Sequence, residues 1–455
     1  MTDSSSRHTP QGIVLLFVPV FIMLGPVLIS PIIGSLFQQF AGEPYANVLV
    51  PLLLTAPALC LALCSPVAGF LANRIGGKKV LVFSLAFYGV VGAAPMFVSS
   101  LHGMLFFRIL LGVAEAGIIT GGMVLTASYF SGDDRQKWIA WQNVALPLIG
   151  AALLYAVGIV SQTNWQNTFG LYGLSLIIFV AAAFVLFEPE KQLAASTHHA
   201  PASKVRIPVT TMLLLAAIAI PGSLSFYAVP VKLSFILREM GETSPAVVGE
   251  LMSMGLIFGS PAGALLARLV KHWRFSYGLV CAMLLMAAGL IMLGIAESKT
   301  MMMAAVIIQQ AGGGLMLVVA LTLVLHIAPK GQSGIYSGYW WLVYTLANFA
   351  TPLILTALDV LTGSSAATML TFGVIVAAVS GWLLFARPLA TRMVSASETN
   401  SATGAKSIRL LLRRTLSKRT HSPELSSSIR SASPMLPESL VKVAVQVCQE
   451  PFAGA

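Results

Sequence analysis

The chain has 455 residues, of which 57% are hydrophobic and only 9% are charged. A soluble domain carries about 25% charged residues, so this composition excludes an ordinary soluble protein and indicates a protein embedded in a lipid bilayer. A net charge of +11 could indicate nucleic acid as a partner, but the basic residues lie in short loops and in a C-terminal tail, which argues against one.

Twelve apolar segments follow one another along the chain, and each is long enough to cross a hydrocarbon core of about 30 Å. In lipid, every backbone polar group must be paired within its segment, so the segments are predicted to be helices and the fold to be all-α and polytopic. The predicted segments are 12–36, 47–72, 79–99, 103–130, 138–160, 168–187, 209–233, 245–270, 276–296, 301–327, 333–358 and 365–386.

A polar stretch at 189–208 is the longest between these segments, and it divides them six and six. We therefore expect an N-terminal six-helix bundle over 12–188 and a C-terminal bundle over 209–388, joined by a cytoplasmic linker. Residues 1–11 form the predicted cytoplasmic N-terminus. The basic stretch 389–455 is rich in Ser, Thr, Arg and Pro, and it predicts a disordered cytoplasmic tail.

Lysine and arginine are unevenly divided between the two sets of loops. With the N-terminus inside, fourteen lie in inside loops and three, Lys232, Arg238 and Lys299, lie in outside loops. This asymmetry predicts that both termini are cytoplasmic. We expect a multi-pass protein of the cell membrane, in a bacterium the inner membrane.

The two predicted halves also share a short sequence. Segment two ends SPVAGFLANR (65–74) and segment eight ends SPAGALLAR (260–268), so that Ser-Pro, Gly, Leu and Arg align with one gap. Both stretches enter the second inside loop of their half, which favours an internal repeat.

The loop after segment two reads GFLANRIGGKKVL (69–81). It resembles the signature loop of the major facilitator superfamily, G-x-L-a-D-r-x-G-r-k, with Asn73 in place of the acid and Gly77 in place of a basic residue. The family's acid helps to latch the two halves, and Asn73 carries no charge for such a latch. The gating-loop residues carried over by the resemblance are Gly69, Asn73, Arg74, Gly76 and Lys78.

Two further stretches support the resemblance. Segment four contains RILLGVAEAG (108–117), which is similar to the family's fourth-helix motif, and Pro147 and Gly150 of segment five match part of an antiporter motif. The resemblance implies a monomeric transporter of two six-helix bundles that moves a small-molecule substrate by alternating access, without a cofactor.

Arg108 and Glu115 are the sharpest functional candidates, because intramembrane charges are costly and usually face a cavity or a partner. Their seven-residue spacing is two helical turns, about 10.5 Å of rise, which puts them on one face. Burial favours a neutral carboxyl and a nearby guanidinium favours a charged one, so we expect Glu115 to exchange a proton during turnover. The alternative is a permanent pair that holds the N-terminal bundle together.

Other polar or helix-breaking residues predict a substrate path through segments one, seven and ten, the helices that line the path in the superfamily, although helix packing explains each singly. Trp340 and Trp341 of segment eleven are expected to be interfacial anchors. The path candidates are Gly25, Pro26, Ser225, Tyr227, Gln309 and Gln310.

These observations predict a secondary transporter that uses protons, with export of a drug or metabolite favoured by the partial segment-five motif. Arg108 could instead bind an organic anion for uptake by symport. A transporter-like sensor that signals through its tail is a third possibility, which truncation at Pro388 would test. An enzyme is not expected, because no Walker loop, HExxH or GxSxG motif is present.

Overall fold

The computed structural model describes residues 9–189, 207–272, 275–329 and 332–385. Every regular element in these ranges is helical, which confirms the predicted all-α fold class. The predicted tail, residues 1–8 and most of the predicted linker lie outside the described residues, so those predictions stay as they were.

The helices follow the predicted segments in order. Within the described ranges, eleven of them are long and apolar enough to cross a membrane, and Ser365–Phe385 takes the place of the twelfth predicted segment. Their bounds are α1 Thr9–Ile29, α2 Ala46–Ile75, α3 Gly77–Phe97, α4 Leu101–Tyr129, α5 Gly132–Val160, α6 Trp165–Val185, α7 Val209–Glu239, α8 Pro245–His272, α9 Phe275–Gly294, α10 Lys299–Ile327, α11 Ser333–Thr362 and α12 Ser365–Phe385.

Two details differ from the predicted segments. The first is interrupted after Ile29, and a separate short helix, Ile33–Gln39, continues it. The seventh runs to Glu239, so the helix includes Lys232 and Arg238, which were wrongly predicted in an outside loop. Hydropathy falls at these charges and suggested an end to the segment, but bonds to neighbouring helices satisfy both side chains and the helix continues.

Helices α1–α6 form the N-terminal half and α7–α12 the C-terminal half. Within the halves, α4 packs on α2 and α3, α9 packs on α10 and α12, and α7 packs on α11. Between the halves, α5 packs on α8 and α2 packs on α11. Because consecutive spans run in opposite directions, one end of the bundle carries residues 9, 189 and 207; we call it the linker end, and the other the opposite end.

Close backbone packing fixes α4 on α2. A Cβ built on Gly112 would overlap the Pro57 carbonyl oxygen and lie 2.8 Å from Cys60 Cβ, so only glycine fits at this crossing. Small residues allow membrane helices to approach closely in this way. The contact sets the position of Glu115, one helical turn farther along α4.

Hydrogen bonds between the halves are concentrated toward the opposite end. Ser253 of α8 donates to Ala151 O of α5 at 2.9 Å. Thr356 of α11 donates to Asn47 O of α2 at 3.3 Å. Because both contacts lie in the opposite-end part of their helices, that end of the bundle is the closed end in this conformation.

Candidate functional site

Helix α4 carries both predicted charges into the protein interior. Its N-terminus is capped by Ser100, whose hydroxyl accepts a hydrogen bond from Gly103 N at 3.2 Å. From there the helix runs without a break, and Arg108 and Glu115 are only 2% and 3% exposed. Both charges are therefore held at membrane depth, where a polar group needs a partner or a cavity.

Arg108 is enclosed by aromatic residues of α3 and α6. Its Nη1 donates to the Tyr172 hydroxyl, and its guanidinium lies 5.5 Å from the ring centroids of Phe169 and Tyr172. Tyr88 packs edge-on against Tyr172 and donates to Phe21 O at 2.5 Å. This setting holds the cation by a hydrogen bond and by cation–π attraction. Nη2 is buried without a hydrogen-bond partner among the described residues.

Glu115 has no ionic partner in the part of the chain that the structure describes. Arg108 lies two turns away, and the two side chains form no ion pair within 4.0 Å. Glu115 Oε1 is buried without a hydrogen-bond partner. A Cβ built on Gly25 of α1 would lie only 2.9 Å from this oxygen.

The site therefore joins one of the predicted path helices, α1, to Glu115. Gly25 lies beside the carboxyl, and Pro26 lies inside α1 one residue beyond Gly25. Tyr227 of α7, another path candidate, packs against Tyr344 of α11, with ring centroids 6.4 Å apart. A carboxyl against a path helix is well placed to respond to movement of that helix.

The remaining path candidates mainly join helices. Gln309 Nε2 donates to Ser225 O at 2.9 Å and to Phe226 O at 3.3 Å, which ties α10 to α7. The Ser225 hydroxyl donates within its own helix to Pro221 O at 2.7 Å. A Cβ built on Gly259 of α8 would lie 2.6 Å from Gln310 Cβ, so Gln310 packs closely against α8.

Trp340 was expected at the membrane interface, and that prediction is wrong. Its side chain is fully buried and stacks on Tyr344 with centroids 5.0 Å apart, whereas Trp341 is 42% exposed. Trp340 Nε1 has no hydrogen-bond partner among the described residues. The C-terminal half thus supplies an aromatic cluster next to Tyr227.

The gating loop is anchored by a residue that the sequence did not single out. Gly76 has a φ of 101°, a backbone conformation that residues with a Cβ atom rarely adopt. The carboxylate of Glu188, just past α6, accepts hydrogen bonds from Gly77 N at 2.8 Å and Lys78 N at 3.0 Å. An acid at a helix N-terminus is electrostatically favourable, so Glu188 fixes the start of α3.

The other gating-loop residues lie at the linker end. Asn73 and Arg74 are exposed in the last turn of α2, and Gly69 faces α4, where an added Cβ would lie 4.0 Å from Thr120 Cγ2. Among the described residues, no group of three or more His, Cys, Asp or Glu side chains is placed to hold a metal ion.

Comparison with known proteins gives a family match over most of the chain. Residues 15–352 match the family model described as Major Facilitator Superfamily. A solved bacterial homologue of the human lysosomal transporter Spinster, described as inward-facing and unoccupied, has a TM-score of 0.64 at 14% identity. The alignment covers 88% of this chain and 98% of that one, and it shows a shared fold.

The curated relatives align with a smaller part of this chain. A quinolone resistance transporter of Acinetobacter baumannii is 25% identical over 256 residues, 48% of this chain and 58% of that protein. A bacillibactin exporter of Bacillus subtilis (strain 168) is 29% identical over 129 residues, 27% of this chain and 31% of that protein. The chain therefore matches less than two thirds of either relative's length.

Proposed function

The chain belongs to the Major Facilitator Superfamily, and from this premise we propose that it exports a small molecule in exchange for protons. It is a multi-pass membrane transporter and not an enzyme. Export, proton coupling, a bacterial inner membrane with both termini cytoplasmic, and a monomeric state are parts of the proposal. Two relatives whose names describe a resistance transporter and an exporter support the direction.

One observation carries the proton coupling. Glu115 is buried, adjoins Gly25 of α1, and has neither an ionic partner nor a hydrogen bond to Oε1 among the described residues. A carboxylate fixed in a permanent ion pair would have little reason to change protonation. A carboxyl whose surroundings change as the halves move can bind a proton on one side and release it on the other.

Arg108 takes a supporting role in this proposal. Its contacts run to Tyr172 and Phe169 of α6, so it holds the N-terminal half together and contributes positive potential near Glu115. The second candidate is proton-coupled uptake of an organic anion, favoured by the free Nη2 of Arg108. The two differ in whether protons and substrate move in opposite directions or in the same direction.

The test uses the purified protein in liposomes that contain a pH-sensitive dye. Anions, sugars and cationic drugs are added under an imposed pH gradient. Opposite movement of protons and substrate supports export by antiport, and parallel movement supports symport. In Glu115→Gln, which cannot exchange the proton, gradient-driven transport should be lost while substrate binding is retained.

Glu250→Gln is the matched control, because Glu250 is a glutamate of α8 whose exposed pair with Lys299 is separate from the proposed site. It should transport at the parental rate. Gradient-driven transport that is equal in Glu115→Gln and in the parent protein would sink the proton role of Glu115.

A further inference from the structure

The last third of α7, toward the opposite end, makes two kinds of contact on two sides. Pro230, Ser234 and Arg238 recur every four residues and form one face of the helix. Lys232 and Glu239 lie on another face, because residues two apart in a helix point about 200° apart. The first face contacts the N-terminal half, and the second contacts the C-terminal half.

Hydrogen bonds to backbone carbonyls join the first face to Ser30, just past the end of α1, and to Gly34 of the short helix that follows; we call this contact the α1–α7 seam. Ser30 Oγ donates to Pro230 O at 2.9 Å, and Ser234 Oγ donates to Ser30 O at 2.9 Å. Arg238 Nη1 donates to Gly34 O at 3.1 Å. None of the ion pairs within 4.0 Å in the described ranges joins the two halves.

Carboxylates join the second face to α11 and α12; we call this set of contacts the clamp. Lys232, only 2% exposed, pairs with Asp359 of α11, and Asp359 Oδ1 also accepts from Thr368 Oγ1 of α12 at 2.7 Å. The Glu239 carboxylate accepts from Ser365 N at 2.6 Å and from Ala366 N at 3.1 Å. The ion pair of the clamp therefore lies within the C-terminal half, whereas the seam between the halves contains no ion pair.

We propose that Lys232 and Asp359 are positioning residues of the transport cycle, which keep the end of α7 on the C-terminal half while the α1–α7 seam opens. The inference rests on the proposed function only in assuming alternating access. Without the clamp, the seam hydrogen bonds would hold the end of α7 on α1 when the halves separate. The opposite end would then open less often.

The first arm of the test asks whether the seam opens during turnover, in a background without Cys60, Cys64, Cys281 and Cys448. A Cβ built on Gly34 would lie 3.5 Å from Ser234 Cβ, a separation that suits a disulfide. Oxidation of Gly34→Cys/Ser234→Cys should stop transport, and reductant should restore it. Val18→Cys/Gly122→Cys, with a similar 3.4 Å separation inside the N-terminal half, should not stop transport.

The second arm needs no substrate. Ser234 is 3% exposed, so a cysteine there reacts with a maleimide only when the seam opens. In Lys232→Met/Asp359→Asn the reaction should be about fivefold slower, and in the charge-reversed Lys232→Asp/Asp359→Lys it should return to about the parental rate. Thr368→Val removes a hydrogen bond from Asp359 and keeps both charges; it should slow the reaction about twofold.

A purely structural pair gives a different result. If the pair only stabilised the fold, Lys232→Met/Asp359→Asn should keep the thermal stability of the parent protein, because replacing both charges by neutral residues is often tolerated. Its maleimide reactivity would then also equal that of the parent protein. Parental reactivity in that variant and in Thr368→Val overturns the proposal, as does a seam disulfide that leaves transport unchanged. Because the maleimide reaction is independent of Glu115, failure of proton coupling leaves its result interpretable.

Discussion

Gly25 and Gly112 allow a matched test of which glycine contacts serve function and which serve folding. A methyl group on Gly25 would lie 2.9 Å from Glu115 Oε1, the far end of a flexible side chain. A methyl group on Gly112 would overlap the carbonyl oxygen of Pro57, which belongs to the backbone of α2. The same substitution therefore meets a movable carboxyl in one case and a fixed helix in the other.

The expected magnitudes follow from what must move. Overpacking a fixed contact costs about 1–3 kcal/mol, so Gly112→Ala should destabilise the protein even after the gain of about 0.5–1 kcal/mol from replacing a helical glycine. In Gly25→Ala the Glu115 side chain can rotate away from the new methyl group, and the same helical gain offsets the cost of that rotation. The free energy of unfolding should therefore change by less than about 1 kcal/mol. The displaced carboxyl should nevertheless lower proton-driven transport severalfold.

Both variants would be followed by thermal unfolding, using tryptophan fluorescence in detergent, and by transport into liposomes under an imposed pH gradient. Gly25→Ala should show a near-parental midpoint and slow transport, and Gly112→Ala a lowered midpoint. Parental transport in Gly25→Ala would refute the close approach of α1 to Glu115 as a functional contact. A parental midpoint in Gly112→Ala would refute the packing argument.

Two further predictions concern residues near these sites. Tyr172→Phe removes the hydroxyl that accepts from Arg108 Nη1. Since a buried donor left unpaired costs about 1–3 kcal/mol, the unfolding midpoint should fall. An unchanged midpoint would mean that the cation–π contacts are sufficient to hold Arg108. Gly76→Ala puts a residue with a Cβ at a positive φ, which costs about 1–3 kcal/mol, and brings its methyl group against Glu188. Both stability and transport should therefore fall. Values equal to those of the parent protein in both assays would contradict the strain at Gly76.

Much of the fold follows from hydropathy alone, because the requirement for paired backbone in lipid leaves a helix as the one arrangement for each apolar run. Segment four was predicted at 103–130 and the helix is Leu101–Tyr129. The burial of Arg108 and Glu115 was likewise predictable, since a charge inside an apolar run needs a protected place.

Partners across helices could not be predicted in the same way. Lys232 and Asp359 are 127 residues apart, and Tyr172 is 64 residues from Arg108, so their pairing depends on how the helices rotate and pack. The helical period places Arg108 and Glu115 on one face, yet it cannot show that Tyr172 takes the guanidinium hydrogen bond. The extension of α7 past Lys232 was missed for the same reason: a buried lysine that has an ionic partner no longer marks the end of a span.

The strengths of the seam and the clamp determine which contact yields first. A hydrogen bond contributes about 0.5–1.5 kcal/mol net, so the three bonds of the α1–α7 seam together hold it closed by about 1.5–4.5 kcal/mol. Leaving a buried charge without its partner costs about 3–5 kcal/mol, and this cost applies to the buried Lys232 more than to the partly exposed Asp359. Hydrogen bonds to Thr368 and Glu239 add to the clamp. A difference of a few kcal/mol keeps a minor conformation populated at about 0.1–10%, which is enough for turnover. The seam can therefore open by thermal motion while the clamp remains intact, and the end of α7 moves with the C-terminal half.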